Sequence, residues 1–288
     1  MLKSDAGELP RELYLNPGVG GVVRMCLIPG GVFHMGSRGA ARRYDDDWFT
    51  NEEPAHAVRL SSFYLGAYPV TQRQYSAWCE VTGRQAKYGF GGAGREDCPA
   101  ENVSWEDAVA WCDWLTACCE LQFPSGFRAS LPTEAEWEYG CRLGVDAAGN
   151  LSVCESEYFC GDGESALAEA GWWSGNSGEE THAVGRKLGT SLGLYDMHGN
   201  VEEWCLDAWD GDVYRRRGEL TEDPVVTVDE DGRAGGDAQR VVRGGSGWFN
   251  DPRYCRATVR GGRNPDYWFR FLGFRVCACS GPRTMYQR

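Results

Sequence analysis

Apolar and polar positions set a strand-like rhythm early in the chain. Residues 22–28 read as a strand, Pro29-Gly30-Gly31 as a turn, and residues 32–35 as a second apolar stretch. A helical period follows. Thr71 stands as a cap before residues 72–81, where Tyr75, Trp78 and Cys79 share one face. Ser104-Trp105-Glu106-Asp107 has the form of a capping box, and Ala108, Val109, Trp111, Cys112 and Leu115 continue it as an amphipathic stripe. Residues 131–138 predict a third helix, with Pro132 near its first turn and acids at the positive end of its dipole. Beyond about residue 143 the pattern breaks into Gly-rich segments, with short strands predicted at 201–206, 240–243, 255–260 and 274–279.

The remaining segments read as connections. Residues 1–20, polar and carrying Pro10 and Pro17, form an extended lead-in. Residues 39–53, with Arg42, Arg43, Glu52, Glu53 and the run Asp45-Asp46-Asp47, read as a solvated loop; the three acids are surface charge first and a cation site second. The acidic stretch 207–239 reads as a long loop. With no internal repeat and no low-complexity linker, the pattern predicts one domain over 21–288 behind the lead-in.

Composition narrows the classes. The 288 residues carry 29 Lys+Arg against 42 Asp+Glu, a formal charge of −13, which argues against a general nucleic-acid binder. No apolar run approaches the roughly 20 residues of a membrane span. The 39 Gly and 12 Trp predict irregular backbone packed around large aromatic anchors. Thirteen Cys leave at least one unpaired in a monomer, and spacing does not say which others pair. Met1-Leu2-Lys3-Ser4-Asp5 opens no secretory pattern, so either the protein is cytosolic or a leader has been removed.

Seven motifs then occur in a fixed order. They are Ile28-Pro29-Gly30-Gly31-Val32-Phe33-His34-Met35-Gly36-Ser37, Tyr68-Pro69-Val70-Thr71, Asn102-Val103-Ser104-Trp105-Glu106-Asp107-Ala108 and Leu131-Pro132-Thr133-Glu134-Ala135-Glu136-Trp137-Glu138-Tyr139. Gly193-Leu194-Tyr195-Asp196-Met197-His198-Gly199-Asn200-Val201-Glu202-Glu203-Trp204, Arg243-Gly244-Gly245-Ser246 and Leu272-Gly273-Phe274-Arg275-Val276 complete them. Over about residues 20–279 the chain resembles the formylglycine-generating-enzyme/sulfatase-modifying-factor domain. The resemblance implies an α+β, C-type-lectin-like fold of that subtype with much irregular loop. Function does not follow from fold.

In the family's oxidases two cysteines bind copper and attack a substrate thiol, three and eight positions after the Arg-Gly-Gly-Ser serine. Counted from Ser246 these places hold Phe249 and Tyr254; counted back from Arg260, the second holds Pro252. No thiol stands at any of them, so the resemblance implies no copper site of that kind. Cys255 reads as a small buried thiol. A second branch of the family holds iron with three histidines, but His34, His56, His182 and His198 are scattered, so iron is not expected either. His34 and His198 read instead as satisfied structural histidines. The expectation is a protein that is not an enzyme; an altered oxidase working through Cys255 is the alternative.

The resemblance also implies a structural Ca²⁺ held by the Asp196 side chain, the carbonyls of Gly199 and Val201, and the Glu203 carboxylate, a hard-oxygen set suited to that ion. The competing reading has Asp196 capping a turn and Glu203 paired with an arginine. A second calcium near Asn176 has no recognisable further ligands.

Residues 244–272 carry the remaining signal. Between the family's fixed elements lie Trp248, Phe249, Asn250, Tyr254, Gly261, Gly262, Arg263, Tyr267, Trp268, Phe269 and Phe271. Four aromatics within 267–271 exceed what one strand face can bury, so some are expected to be exposed. Exposed aromatics with Arg, Gly and Asn have the composition of binding hot spots. This filling resembles the variable proteins of diversity-generating retroelements, in which the lectin-like scaffold carries rewritten loops. The implied function is binding of a protein or cell-surface ligand through the C-terminal face, with cell-surface display favoured if a leader was lost.

Overall fold

The computed structural model describes residues 9–86, 94–146, 148–227, 238–248 and 251–281. Five antiparallel strands form its first sheet, in the order β1 (Glu12–Leu15), β2 (Val23–Ile28), β5 (Phe63–Gly66), β14 (Cys277–Ser280) and β6 (Phe127–Ser130). The lead-in expectation is corrected here. Leu13 and Leu15 turn into the core on either side of exposed Tyr14, and the segment pairs with β2 from Glu12↔Cys26 to Leu15↔Val23. Alternation at only two apolar positions was too short to announce a strand.

A second sheet sets β10 (Leu220–Glu222) and β3 (Gly31–Met35) on either side of β4 (His56–Leu60). Between β3 and β4 the expected solvated loop is instead α1 (Ala40–Tyr44) and a 3-10 helix, Asp47–Glu52, capped by Asp46 accepting from the Trp48 N–H at 2.9 Å. In that tight helix positions three apart eclipse. Phe49 and Glu52 therefore point the same way, and both are buried.

The three longer helices match expectation: α2 (Gln72–Thr82), α3 (Trp105–Cys119) and α4 (Glu134–Arg142). Thr71 with Gln74 and Thr133 with Glu136 form reciprocal capping boxes at the starts of α2 and α4. Aromatic faces of α2 and α3 meet Trp204 and Phe274 in the larger core cluster. All of α4 is buried, including Glu134, Glu138 and Arg142, and these charges are tolerated because each finds a partner inside.

After α4 come the hairpin β7 (Leu143–Val145) and β8 (Leu151–Val153) and two short helices, α5 (Gly163–Ala170) and α6 (Ser174–Ser177). Within 207–239, expected as loop, α7 (Val213–Arg216) precedes β10. The last sheet runs β12 (Arg260–Arg263), β11 (Arg240–Arg243), β9 (Glu202–Ala208), β13 (Leu272–Gly273). The strand expected at 255–260 is corrected. Asp251 accepts from the Arg253 N–H at 2.9 Å and starts a 3-10 helix, Pro252–Cys255, so the strand begins only at Arg260. Among the described residues no helix is long and apolar enough to cross a membrane.

Candidate ligand-binding face

The Arg-Gly-Gly-Ser turn leaves β11 through two left-handed glycines, Gly244 at φ 94° and Gly245 at φ 68°. A Cβ on Gly245 would stand 2.7 Å from the Cys255 sulfur, so the turn lies flat on the 252–255 helix. That contact buries Cys255 completely, and burial pushes its thiol up to about 12. A thiol so held is poorly disposed to act as a nucleophile.

Beside this turn lies a cleft of about 250 Å³. Its walls include Trp48 from the acidic segment and Tyr254 from the 3-10 helix, and Glu202, Gly261 and Arg263 line it from the sheet. Two contacts bring the distant walls together. Phe49 and Tyr254 have ring centroids 5.8 Å apart, and Arg256 meets Glu52 at 2.8 Å. Gly261 pairs with Val242, and its missing side chain leaves the cleft open. Glu202 is buried and its carboxyl pKa is raised by that burial; Arg263 reaches both its oxygens at 3.3 Å. The cleft thus combines aromatic walls with a charged pair.

A second group forms an exposed ridge. Trp248 is 47% exposed, Tyr267 42% and Trp268 45%. Residues 264–271 are not a strand. Their backbone is pinned to the start of α3: the Trp105 N–H donates to the Pro265 carbonyl at 2.9 Å and the Asn102 N–H to the Phe269 carbonyl at 3.2 Å. Tyr267 stacks on half-buried Phe269 at 6.2 Å, and Trp248 leans on Phe271 at 6.1 Å.

Two expectations about this face are corrected. Phe271 is fully buried at φ 73°, and its N–H donates to Glu101 at 3.3 Å; it supports the ridge from beneath. Gly262 lies away from the cleft, where a Cβ would stand 2.5 Å from the Trp209 indole. Sequence reasoning missed Trp48 and Glu202, because what brings them to Tyr254 is long-range packing; the sole hint was an aromatic pair, Trp48-Phe49, inside an acidic run. Phe249 and Asn250 lie outside the described residues.

Three of the four implied calcium ligands have partners within the protein. Arg275 holds Glu203 at 2.6 Å and 2.7 Å, and the Trp137 indole N–H donates to the same carboxylate at 2.7 Å. Asp196 accepts from the Gly185 N–H at 2.8 Å and the Asn200 amide at 3.2 Å. The Gly199 carbonyl accepts the Val201 N–H at 2.9 Å. Both Glu203 oxygens thus face the Arg275 guanidinium, the arginine pairing that competes with calcium for this carboxylate. Asn176 likewise closes a local turn, through the Trp173 N–H at 2.9 Å and the Gly171 carbonyl at 3.1 Å. Among the described residues no three His, Cys, Asp or Glu side chains form a cluster that could hold a metal ion by themselves.

Of the histidines in the motifs, His34 is exposed on β3. His198 is fully buried: Nδ1 lies 2.8 Å from the Cys255 carbonyl and so carries the proton, and Nε2 accepts the Phe159 N–H at 3.1 Å. Burial lowers its pKa to about 4.

The sequence model of the sulfatase-modifying factor enzyme 1-like domain matches residues 17–279. The chain belongs to that family. A formylglycine-generating enzyme of Thermomonospora curvata is 31% identical over 309 aligned positions, covering 88% of this chain and 93% of that one. Treponema denticola variable protein 1 superposes with a TM-score of 0.72 at 25% identity, covering 95% of this chain and all of that one. PvdO from Pseudomonas aeruginosa gives 0.68 at 24%, over 94% and 99% of the two chains, and shows the fold alone. The α+β, C-type-lectin-like architecture implied by the motifs is the fold of this family member.

Proposed function

We propose that this family member binds a protein or cell-surface ligand through its C-terminal face, as a variable protein of the diversity-generating-retroelement kind, and does not turn over a substrate. One observation carries the reading. Where the family's oxidase thiols are expected, the chain has Phe249 and Tyr254 (or Pro252), Tyr254 walls an aromatic cleft, and the neighbouring Cys255 is sealed beneath Gly245. The likeness to a protein named as variable supports the same reading.

The relatives named as formylglycine-generating enzymes support the alternative, an oxidase of altered chemistry or a fixed-site accessory protein. Sequencing the DNA around the 3′ end of the gene separates them. A near-copy of the codons for 247–271, differing almost only at its adenines and lying beside a reverse-transcriptase gene, is the expected finding. Thiol-dependent oxygen consumption that disappears in Cys255→Ser would overturn the non-enzymatic reading.

A further inference from the structure

None of the thirteen cysteines is in a disulfide, and ten of them are buried. Three reach solvent, and two of these are near in sequence. Cys118 stands on the last turn of α3, whereas Cys154 directly follows β8 and Cys160 lies six residues on, inside a tight turn. The turn is closed by a two-bond bridge: the Tyr158 N–H donates to the Gly161 carbonyl at 3.0 Å and the Gly161 N–H to the Tyr158 carbonyl at 3.1 Å. The Cys154 sulfur rests 3.6 Å from that same Tyr158 carbonyl. The Tyr158 carbonyl oxygen thus meets both the Cys154 sulfur and the amide that follows Cys160. The Cys160 sulfur donates to the Ala166 carbonyl at 3.3 Å, a bond that pairing with Cys154 requires it to give up.

We propose that Cys154 and Cys160 are a modification site, an oxidisable pair that exchanges with small-molecule disulfides of the glutathione class. The Cys160 thiolate attacks one sulfur of the oxidised reagent, the S–S bond breaks, and one thiol leaves. Cys154 then attacks the mixed disulfide at the Cys160 sulfur and releases the second. The sum is two protein thiols plus one disulfide giving one protein disulfide plus two small thiols, with both protons carried by the products. Partial burial holds the Cys160 thiol above its ordinary value, so exchange quickens toward alkaline pH.

The position of the pair gives its oxidation a local consequence. The Glu157 carbonyl accepts the Ala257 N–H at 2.8 Å, and the Tyr158 hydroxyl donates to the Pro252 carbonyl at 2.9 Å. The turn therefore supports the 252–258 segment that presents Tyr254 to the cleft. A crosslink from 154 to 160 fixes that support, whatever the cleft binds.

The experiment treats the native full chain with oxidised glutathione, blocks residual thiols and maps the peptides by mass. The expected product is two hydrogens lighter, with residues 154 and 160 joined. It is lost in Cys154→Ser and in Cys160→Ser and retained in Cys118→Ser. Stable glutathione adducts on both residues without ring closure would overturn the proposal, as would protection of both from the reagent. A 154–160 crosslink that forms only after unfolding in urea would overturn it too.

Discussion

Arg256 and Glu52 stand 204 positions apart and meet as a buried two-point ion pair, at 2.8 Å and 3.1 Å. The Thr258 hydroxyl donates to the same carboxylate at 2.6 Å. This contact joins the segment carrying Trp48 to the one carrying Tyr254, and so assembles the cleft. Removing one partner leaves a buried charge without its counterion, which costs about 3–5 kcal/mol. Glu52→Ala is expected to lower the denaturation midpoint by a corresponding amount in urea, with loss of the cleft's binding; an unchanged midpoint would show that the pair holds nothing together.

The two exposed aromatics and the one buried aromatic of the C-terminal segment are expected to separate stability from binding. Trp268→Ala and Tyr267→Ala should leave the urea midpoint nearly unmoved while each weakens the ligand by about 2 kcal/mol or more if it is a hot spot. Phe271→Ala, by contrast, empties a fully buried site and should cost about 3–5 kcal/mol of folding stability. Equal effects of all three on stability would contradict the division into ridge and support.

Neighbouring glycines on β12 make a sharper pair. A Cβ at Gly261 meets only ordinary contacts, the closest being Val242 at 3.5 Å, and points into the cleft. Gly261→Val should therefore fold and lose binding. Gly262→Ala collides with Trp209 and should destabilise the chain, which calorimetry of the two variants checks directly.

His198 gives a pH dependence with a defined sign. Its folded pKa of about 4 lies below the ordinary histidine value of 6.5, so the unfolded chain binds the proton more readily between those values. The stability linked to neutral His198 is complete above about pH 6.5 and is lost as pH falls toward 4, by about 3 kcal/mol at most. Asp207, pushed up to about 6 mainly by burial, works in the opposite direction over an overlapping range. The measurement is therefore the difference between wild type and His198→Gln in urea midpoints across that range. A wild-type loss on acidification that is smaller in the variant is expected; parallel curves would refute it.

Glu203 yields the calcium test. With Arg275 already on both carboxylate oxygens, millimolar calcium and a chelator are expected to leave the thermal midpoint the same, whereas Glu203→Gln should lower it by leaving Arg275 buried without its charge partner. A calcium-dependent rise in the midpoint would restore the metal reading implied by the motifs.

Local signals made much of this chain legible. Thr71, Ser104 and Thr133 marked helix starts because a cap acts within one turn, and the structure places α2, α3 and α4 directly after them. The ordered motifs carried the fold class, since Gly245 and Gly199 meet requirements that a side chain would violate: a Cβ would clash with Cys255 and with the Trp172 carbonyl, respectively. The exposure of Tyr267 and Trp268 followed from crowding alone.

Other features depended on partners far away in the chain. The sequence could not show that Glu52 is buried, because only Arg256 and Thr258 make that burial tolerable. Nor could it decide between calcium and arginine for Glu203, since the competing cation arrives from the far end of the chain. Trp48 and Glu202 became cleft residues, and Phe271 a core residue, through packing between elements that sequence spacing does not encode. Local propensity and steric need act over a few residues and can be read in order; charge pairing and enclosure act through space, and only the folded chain determines them.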